Sequence, residues 1–214
     1  MKKLLFLFFV FLGPLSGAWA ASQEAVSPTP KTQSLFSRIE ILGHLSHTIS
    51  PGDTLSGLAR KYGTTIELLR KNNDILDDRI YAGMKLKVPT ARFSIEVDRA
   101  KNRLLVLADG KPIKRYKIAT GRGERTPLGT FKIINKLENP TWYSAGVVVP
   151  PDSPKNILGT RWMGFDKPGY GIHGTTLPQT IGTHSSKGCI RMLNPEVEEL
   201  YAVLPLETQV LVKK

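Results

Sequence analysis

Leu55, Leu58, Ala59 and Tyr62 recur at i, i+3, i+4 and i+7, which predicts a helix with one apolar face. Pro51-Gly52-Asp53 turns the chain ahead of it, Asp53 or Thr54 can cap its start, and Gly63 suits its C-terminal end. Thr64-Thr65-Ile66-Glu67 reads as a capping box that opens a second helix through Leu68 and Leu69, broken at Asn72-Asn73. Thr48-Ile49 is a strand candidate before this pair. Lys85-Leu86-Lys87-Val88 alternates with period two and is stopped by Pro89. Residues 46–89 are therefore expected to form a small α+β unit of βααβ order.

From Arg92 the pattern changes. Ser94 to Asp98 alternates, Leu104-Leu105-Val106-Leu107 is an apolar run, and Asp109-Gly110 is a two-residue hairpin signal leading to a return strand at Tyr116–Ala119. Phe131 to Ile134 and Gln209 to Val212 read as further strands. Short strands at close spacing suggest a mainly-β sandwich or barrel over residues 92–213. One helix is expected near its end, with Asn194 as cap, Pro195 at the first position, and Val197, Leu200, Tyr201 and Leu204 on one face.

The N-terminus has another character. Lys2 and Lys3 precede an apolar stretch from Leu4 to Leu15, and Ala18-Trp19-Ala20 supplies a small-x-small cleavage site, so residues 1–20 read as a secretory signal. The stretch is short of the ~20 residues a membrane span needs, although an uncleaved anchor is the other reading. Residues 21–45 comprise a polar, Pro/Ser/Thr-rich tether and a more apolar piece, Leu35 to Leu45, that the pattern does not place. The formal net charge of +12 becomes +10 without Lys2 and Lys3. In an exported chain that charge points to anionic envelope polymers or membrane surfaces rather than nucleic acid, and otherwise is a solvated surface.

The 214 residues contain one cysteine, Cys189, in Ser185-Ser186-Lys187-Gly188-Cys189-Ile190-Arg191-Met192. An exported chain cannot use a single cysteine for an internal disulfide, which leaves an inert buried thiol, an intermolecular link or a nucleophile. Isolated cysteines are more often small core residues. As a nucleophile the thiol needs a base, and His173 and His184 are the candidates; spacing does not choose between them. Gly188 would let the backbone approach a substrate carbonyl, and the amides of Lys187, Gly188 and Cys189 could meet an oxyanion. Arg191 offers positive charge to a thiolate or a substrate carboxylate, and Lys187 is a second cation that could lower the thiol pKa. One cysteine and four scattered histidines give no metal-ligand spacing, and Gly121-Arg122-Gly123 lacks the third glycine of a nucleotide loop, so no metal or cofactor is expected.

Two resemblances sharpen these readings. Ile49-Ser50-Pro51-Gly52-Asp53-Thr54-Leu55-Ser56, Ala59 to Gly63, Asn73 and Gly83 to Pro89 resemble the LysM family across the whole unit. The resemblance implies binding of N-acetylglucosamine-containing glycans in a groove between Gly52, Asp53, Thr54 and Leu55 on one side and the stretch around Ile80 on the other. The bland alternative makes Leu55 helix core and Asp53 only a cap. Thr120-Gly121, Thr126 to Phe131, Asn139 to Trp142, Leu158 to Trp162, and above all Gly171-Ile172-His173-Gly174-Thr175 with Ser186 to Met192, resemble the YkuD family of L,D-transpeptidases. That resemblance implies Cys189 as nucleophile, His173 as base, Gly174 as the carbonyl that orients the imidazole, and Arg191 as the motif arginine. It places Ser186, Lys187 and Gly188 at the oxyanion and substrate contacts. Many members carry histidine where this chain has Lys187, which takes one more histidine out of contention as the base. The implied function is acyl transfer between peptidoglycan stem peptides in the periplasm or cell wall, with glycan strands and stem peptides as partners. An L,D-carboxypeptidase, a transferase to a protein lysine, and a non-catalytic wall-binding protein are the other readings.

Overall fold

The first helix among the described residues sits where the pattern placed nothing. In the computed structural model, which describes residues 34–144, 146–151 and 153–214, helix α1 (Leu35–Glu40) begins at Ser34, whose hydroxyl accepts the Ser37 amide. Leu35 and Ile39 are buried. The expected signal at residues 1–20 and most of the tether lie outside the described residues.

The N-terminal module follows. Strand β1 (His44–Thr48) starts earlier than Thr48-Ile49 and runs antiparallel to β2 (Lys85–Pro89). Between them lie helices α2 (Leu55–Tyr62) and α3 (Ile66–Asn72). Thr54, not Asp53, caps α2 by accepting the Gly57 amide, and Gly63 closes it at φ 62°. The capping box is not formed as expected. The cap of α3 is Thr65, one residue later, which accepts the Leu68 amide at 3.0 Å and leaves Glu67 within the first turn. Asn73 ends α3 and ties it to β2, donating to the Leu69 and Lys87 carbonyls and accepting the Lys87 amide. Ile49, Leu55, Leu58, Ala59, Leu69, Leu86 and Val88 form the module's core.

The C-terminal part is a mainly-β curled sheet. Strand β3 (Phe93–Asp98) pairs antiparallel with β4 (Arg103–Ala108), which pairs with β5 (Lys111–Lys117) across a turn with positive φ at Asp109 and Gly110. Short β6 (Thr120–Gly121) leads to β7 (Gly129–Glu138), and β8 (Trp142–Ser144) and β9 (Val147–Val149) form a separate hairpin. Then come β10 (Arg161–Phe165), β11 (Gly171–His173), β12 (His184–Ser186) and β13 (Ile190–Arg191). Helix α4 (Asn194–Val203) and β14 (Gln209–Lys213) complete the chain. The main sheet has the order β13-β11-β10-β7-β14-β3-β4-β5, parallel at β11–β13 and β14–β3 and antiparallel elsewhere. Val197, Leu200 and Val203 of α4 are fully buried against it.

The two parts share a core. Leu68 of α3, and Leu35 and Ile39 of α1, belong to the same buried cluster as Ile95, Met163, Ile172 and Leu200. Thr65 Oγ1 donates to the Ala202 carbonyl, and the Leu35 amide donates to Glu199 Oε1. Glu199 Oε2 takes Lys114 Nζ and the Tyr116 hydroxyl, each at 2.6 Å. Burial, reinforced by Glu199, raises the Tyr116 phenol and keeps it protonated. Residues 35–40 thus wedge the module onto the sheet. Truncating Leu68 opens a cavity in this shared core, so Leu68→Ala should cost about 2–5 kcal/mol and lower one common calorimetric transition. Two separate transitions, with only the module's lowered, would refute the shared core.

Candidate active site

Ile172 and Ile190 are paired across β11 and β13, and both are fully buried in the core. Side chains alternate along a strand, so the register partners His173 and Arg191 lie together on the opposite face, and Cys189 directly precedes β13, within reach of the Arg191 charge. Cys189 is half-buried, and its thiol donates to the Gly169 carbonyl at 3.3 Å. Burial pushes this thiol up, against a backbone hydrogen bond from Gly171 and the charge of Arg191. The expectation that Lys187 lowers it is not met. The lysine instead lies over the Trp142 ring, 6.0 Å from its centroid, and tethers the thiol loop to the β8–β9 hairpin.

His173 is 2% exposed. Its Nδ1 sits 2.6 Å from the Gly174 carbonyl, an acceptor only, so Nδ1 carries the proton and Nε2 keeps the lone pair. Burial pushes the imidazole down to about 4; the Gly174 and Leu158 carbonyls pull the other way, and Arg191 adds to the lowering. Trp162, the register partner of His173 on β10, stacks on the imidazole at 5.9 Å and 24° and donates through Nε1 to Asn135 Oδ1. At neutral pH the resting pair is therefore a neutral thiol and a neutral imidazole.

The loop before Cys189 is built by close packing. Gly188 has φ 139°, and a Cβ there would come 2.8 Å from Tyr170 Cε1, so conformation and space both require glycine. Its amide donates to Ser186 Oγ at 3.0 Å, and that hydroxyl donates to the Cys189 carbonyl at 2.6 Å. Gly188 thus drops out of the amides expected to meet an oxyanion, and those of Lys187 and Cys189 remain. Arg191 is 7% exposed, exchanges backbone hydrogen bonds with Ala119, and has a buried Nε without a partner. His184 is committed elsewhere. Thr120 Oγ1 donates to Asn102 Oδ1, so His184 Nδ1 must donate to Thr120 at 2.8 Å, while its Nε2 accepts from Asn102 Nδ2.

In the N-terminal module the five candidate glycan residues divide. Gly52 and Thr54 are exposed, Asp53 and Ile80 are half-buried, and Leu55 at 4% exposure is a core side chain with no surface to offer a sugar. Asp53 Oδ2 accepts the Ser50 amide at 2.8 Å and meets His47 Nε2 at 3.0 Å. Both contacts, the backbone one first, hold this carboxyl below its ordinary value. His47 Nδ1 in turn meets the Tyr62 hydroxyl at 3.0 Å. Sequence reasoning missed this network, and also missed Trp162 and Asn135 beside His173; only the β10–β11 register exposes that pair. Among the described residues no group of three His, Cys, Asp or Glu side chains is placed to hold a metal ion.

Each of the two parts of the chain matches a known family. The family model for the L,D-transpeptidase catalytic domain matches residues 92–212, and that for the LysM domain matches residues 47–89. A Bacillus subtilis protein provisionally named L,D-transpeptidase YqjB is 41% identical over 122 residues, which is 54% of this chain and 68% of the relative. A second from the same organism, provisionally named L,D-transpeptidase YkuD, is 32% identical over 177 residues, 79% of this chain and 99% of the relative. The crystal structure of L,D-transpeptidase 3 from Mycobacterium tuberculosis shares the fold with a TM-score of 0.50 at 17% identity, over 60% of this chain and 67% of that one.

The burial of His173 gives a pH signature. Its folded value lies below the ordinary imidazole value, so as pH falls the unfolded chain takes up a proton that the folded chain refuses. The contribution is complete above about pH 6.5 and is lost toward pH 4, at up to about 1.4 kcal/mol per pH unit. The urea midpoint should fall across that window, and His173→Gln should remove this component of the fall. Equal slopes in both proteins would refute the assignment.

Proposed function

The chain belongs to the YkuD family of L,D-transpeptidases, and on that footing we propose that it is an exported enzyme that cross-links peptidoglycan through a thioester at Cys189. The observation that supports the reading is the His173 Nδ1 proton held by Gly174, on a strand whose parallel partner begins directly after Cys189, with Arg191 acting on both groups. Cys189 attacks the carbonyl of the third, L-configured residue of a donor tetrapeptide. The Sγ–C bond forms as the thiol proton passes to His173 Nε2. The C–N bond to the terminal D-alanine then breaks, and that proton leaves with its amine. The side-chain amine of a second stem attacks the thioester, gives its proton to His173, and forms a 3-3 cross-link as the proton returns to sulfur.

The oxyanion at each step meets the amides of Lys187 and Cys189; losing one such donor typically costs about 10²–10³ in rate. Arg191 adds positive charge beside the sulfur. In the resting protein the thiol proton faces Gly169, so Sγ must turn toward His173 when the donor binds. The LysM module holds the glycan strand that carries the stems, which raises their local concentration at the thiol. Export and residence in the periplasm or cell wall follow from the signal read at residues 1–20 and from the peptidoglycan substrate. No helix among the described residues is long and apolar enough to cross a membrane.

The test is mass spectrometry of products from disaccharide tetrapeptide. The expected product is a dimer lighter than two donors by one alanine, absent with Cys189→Ala. Alanine loss without dimer would replace cross-linking by carboxypeptidase action. Unchanged substrate with folded, thiol-reduced protein, or full activity in Cys189→Ala, would overturn the enzyme reading.

A further inference from the structure

Asn194 is the first residue of α4, where an asparagine is expected to cap the helix. It does not do so. The cap position is Leu193, which makes no side-chain bond, and Asn194 turns its side-chain oxygen away from the helix. Asn194 Oδ1 accepts the Thr175 amide at 2.9 Å and the Thr160 amide at 3.4 Å. It therefore joins the loop that enters β10 to the loop that leaves β11.

The space for this oxygen is reserved by two glycines far apart in the chain. A Cβ on Gly159 or on Gly174 would lie 2.2 Å from Asn194 Oδ1 in either case, and Gly159 also has φ +65°. Any side chain at either position would displace the asparagine.

The bond to Thr175 has a geometric consequence. The Thr175 N–H and the Gly174 C=O belong to one planar, trans peptide unit and point in opposite directions. Asn194 grips one end of that plane at 2.9 Å, and His173 Nδ1 meets the other at 2.6 Å. The plane cannot rotate without breaking one bond or the other. The platform behind Asn194 is rigid, because Val197, Leu200 and Val203 of α4 are fully buried.

We infer that Asn194 is a positioning residue for His173: it locks the peptide whose carbonyl holds the imidazole in its Nδ1–H tautomer with Nε2 available as the base. The inference rests on the reading of His173 as the general base, and its test has one arm that does not. Without the Asn194 oxygen the Gly174 peptide is held from one side only, and the imidazole gains access to its other tautomer and to other ring angles. A small misplacement of a reacting group can cost about 10² in rate.

The experiment compares wild type, Asn194→Leu and Asn194→Asp. Leucine removes the acceptor at similar bulk, and aspartate restores an acceptor for both amides. Imidazole ¹⁵N shifts at neutral pH should report the Nδ1–H tautomer of His173 in wild type and in Asn194→Asp, and a mixture in Asn194→Leu. In the transpeptidation assay Asn194→Leu should lose about ten- to a hundredfold in kcat with KM within about twofold, and Asn194→Asp should recover most of it. If the leucine variant does not fold, Asn194→Ala removes the same oxygen without added branching. A folded Asn194→Leu or Asn194→Ala with the wild-type tautomer would overturn the inference, and so would a kcat loss that aspartate does not recover. The tautomer arm decides the role of Asn194 even if the wild-type protein turns over no peptidoglycan, an outcome that would count against the proposed function alone.

Discussion

The candidate chemistry depends on one pair of side chains that takes no part in it. Ile172 and Ile190 are fully buried opposite each other on two parallel strands. A one-residue slip of either strand would carry its isoleucine to the other face and its polar neighbours into the core. The penalty is large: burying an isoleucine side chain contributes about 1.5–3 kcal/mol, and an unpaired guanidinium in its place would cost more. The register is thereby fixed, and with it the pairing of His173 with Arg191 on the other face, two residues beyond Cys189.

Burial also sets the protonation of the site. Desolvation acts on both partners in the direction that disfavours charge, upward for the thiol and downward for the imidazole. The resting state is accordingly a neutral pair. This disfavours a thiolate in the resting protein and keeps His173 neutral over a wide acid range. In the proposed reaction, thiol ionisation is then coupled to attack, with the proton moving to Nε2 as the Sγ–C bond forms. The buried Arg191 lies close enough to act on both groups, favouring the charge that develops on sulfur and opposing protonation of the imidazole in the resting state.

Helix α2 and its ends were legible because caps and apolar periodicity are local: Thr54, Gly63 and the Leu55–Tyr62 face each act within a few residues. The hairpin at Asp109-Gly110 was legible for the same reason. The small α+β module and the mainly-β character of the rest follow from such signals, with the closing of the sheet left between sandwich and barrel. What escaped was non-local. Leu35 to Leu45 had no readable role because the partners of Leu35 and Ile39 lie on α3, α4 and the sheet. Trp162 joins His173 only through strand register, and the choice of His173 over His184 needed either a resemblance or the Thr120–Asn102 contacts that occupy His184. Asn194 was misread as a helix cap because its position matches that local pattern, while its oxygen answers amides 34 and 19 residues away.

That helix changes what the module is. Helix α4 has ten residues, roughly 15 Å at 1.5 Å per residue. Near its C-terminal end the Ala202 carbonyl takes Thr65 of the module, and Glu199 takes the Leu35 amide of α1. At its N-terminal end Asn194 holds the loops around His173. Between these ends Val197, Leu200 and Val203 pack on the sheet. A rigid element this short cannot tilt at one end and stay fixed at the other, because its middle residues are close-packed. The module's docking and the placement of the imidazole therefore constrain the same body. A flexible tether would need only a glycan surface and a loose linker. Here Leu68 completes the core on which α4 rests, so the N-terminal module is a structural part of the domain that carries Cys189.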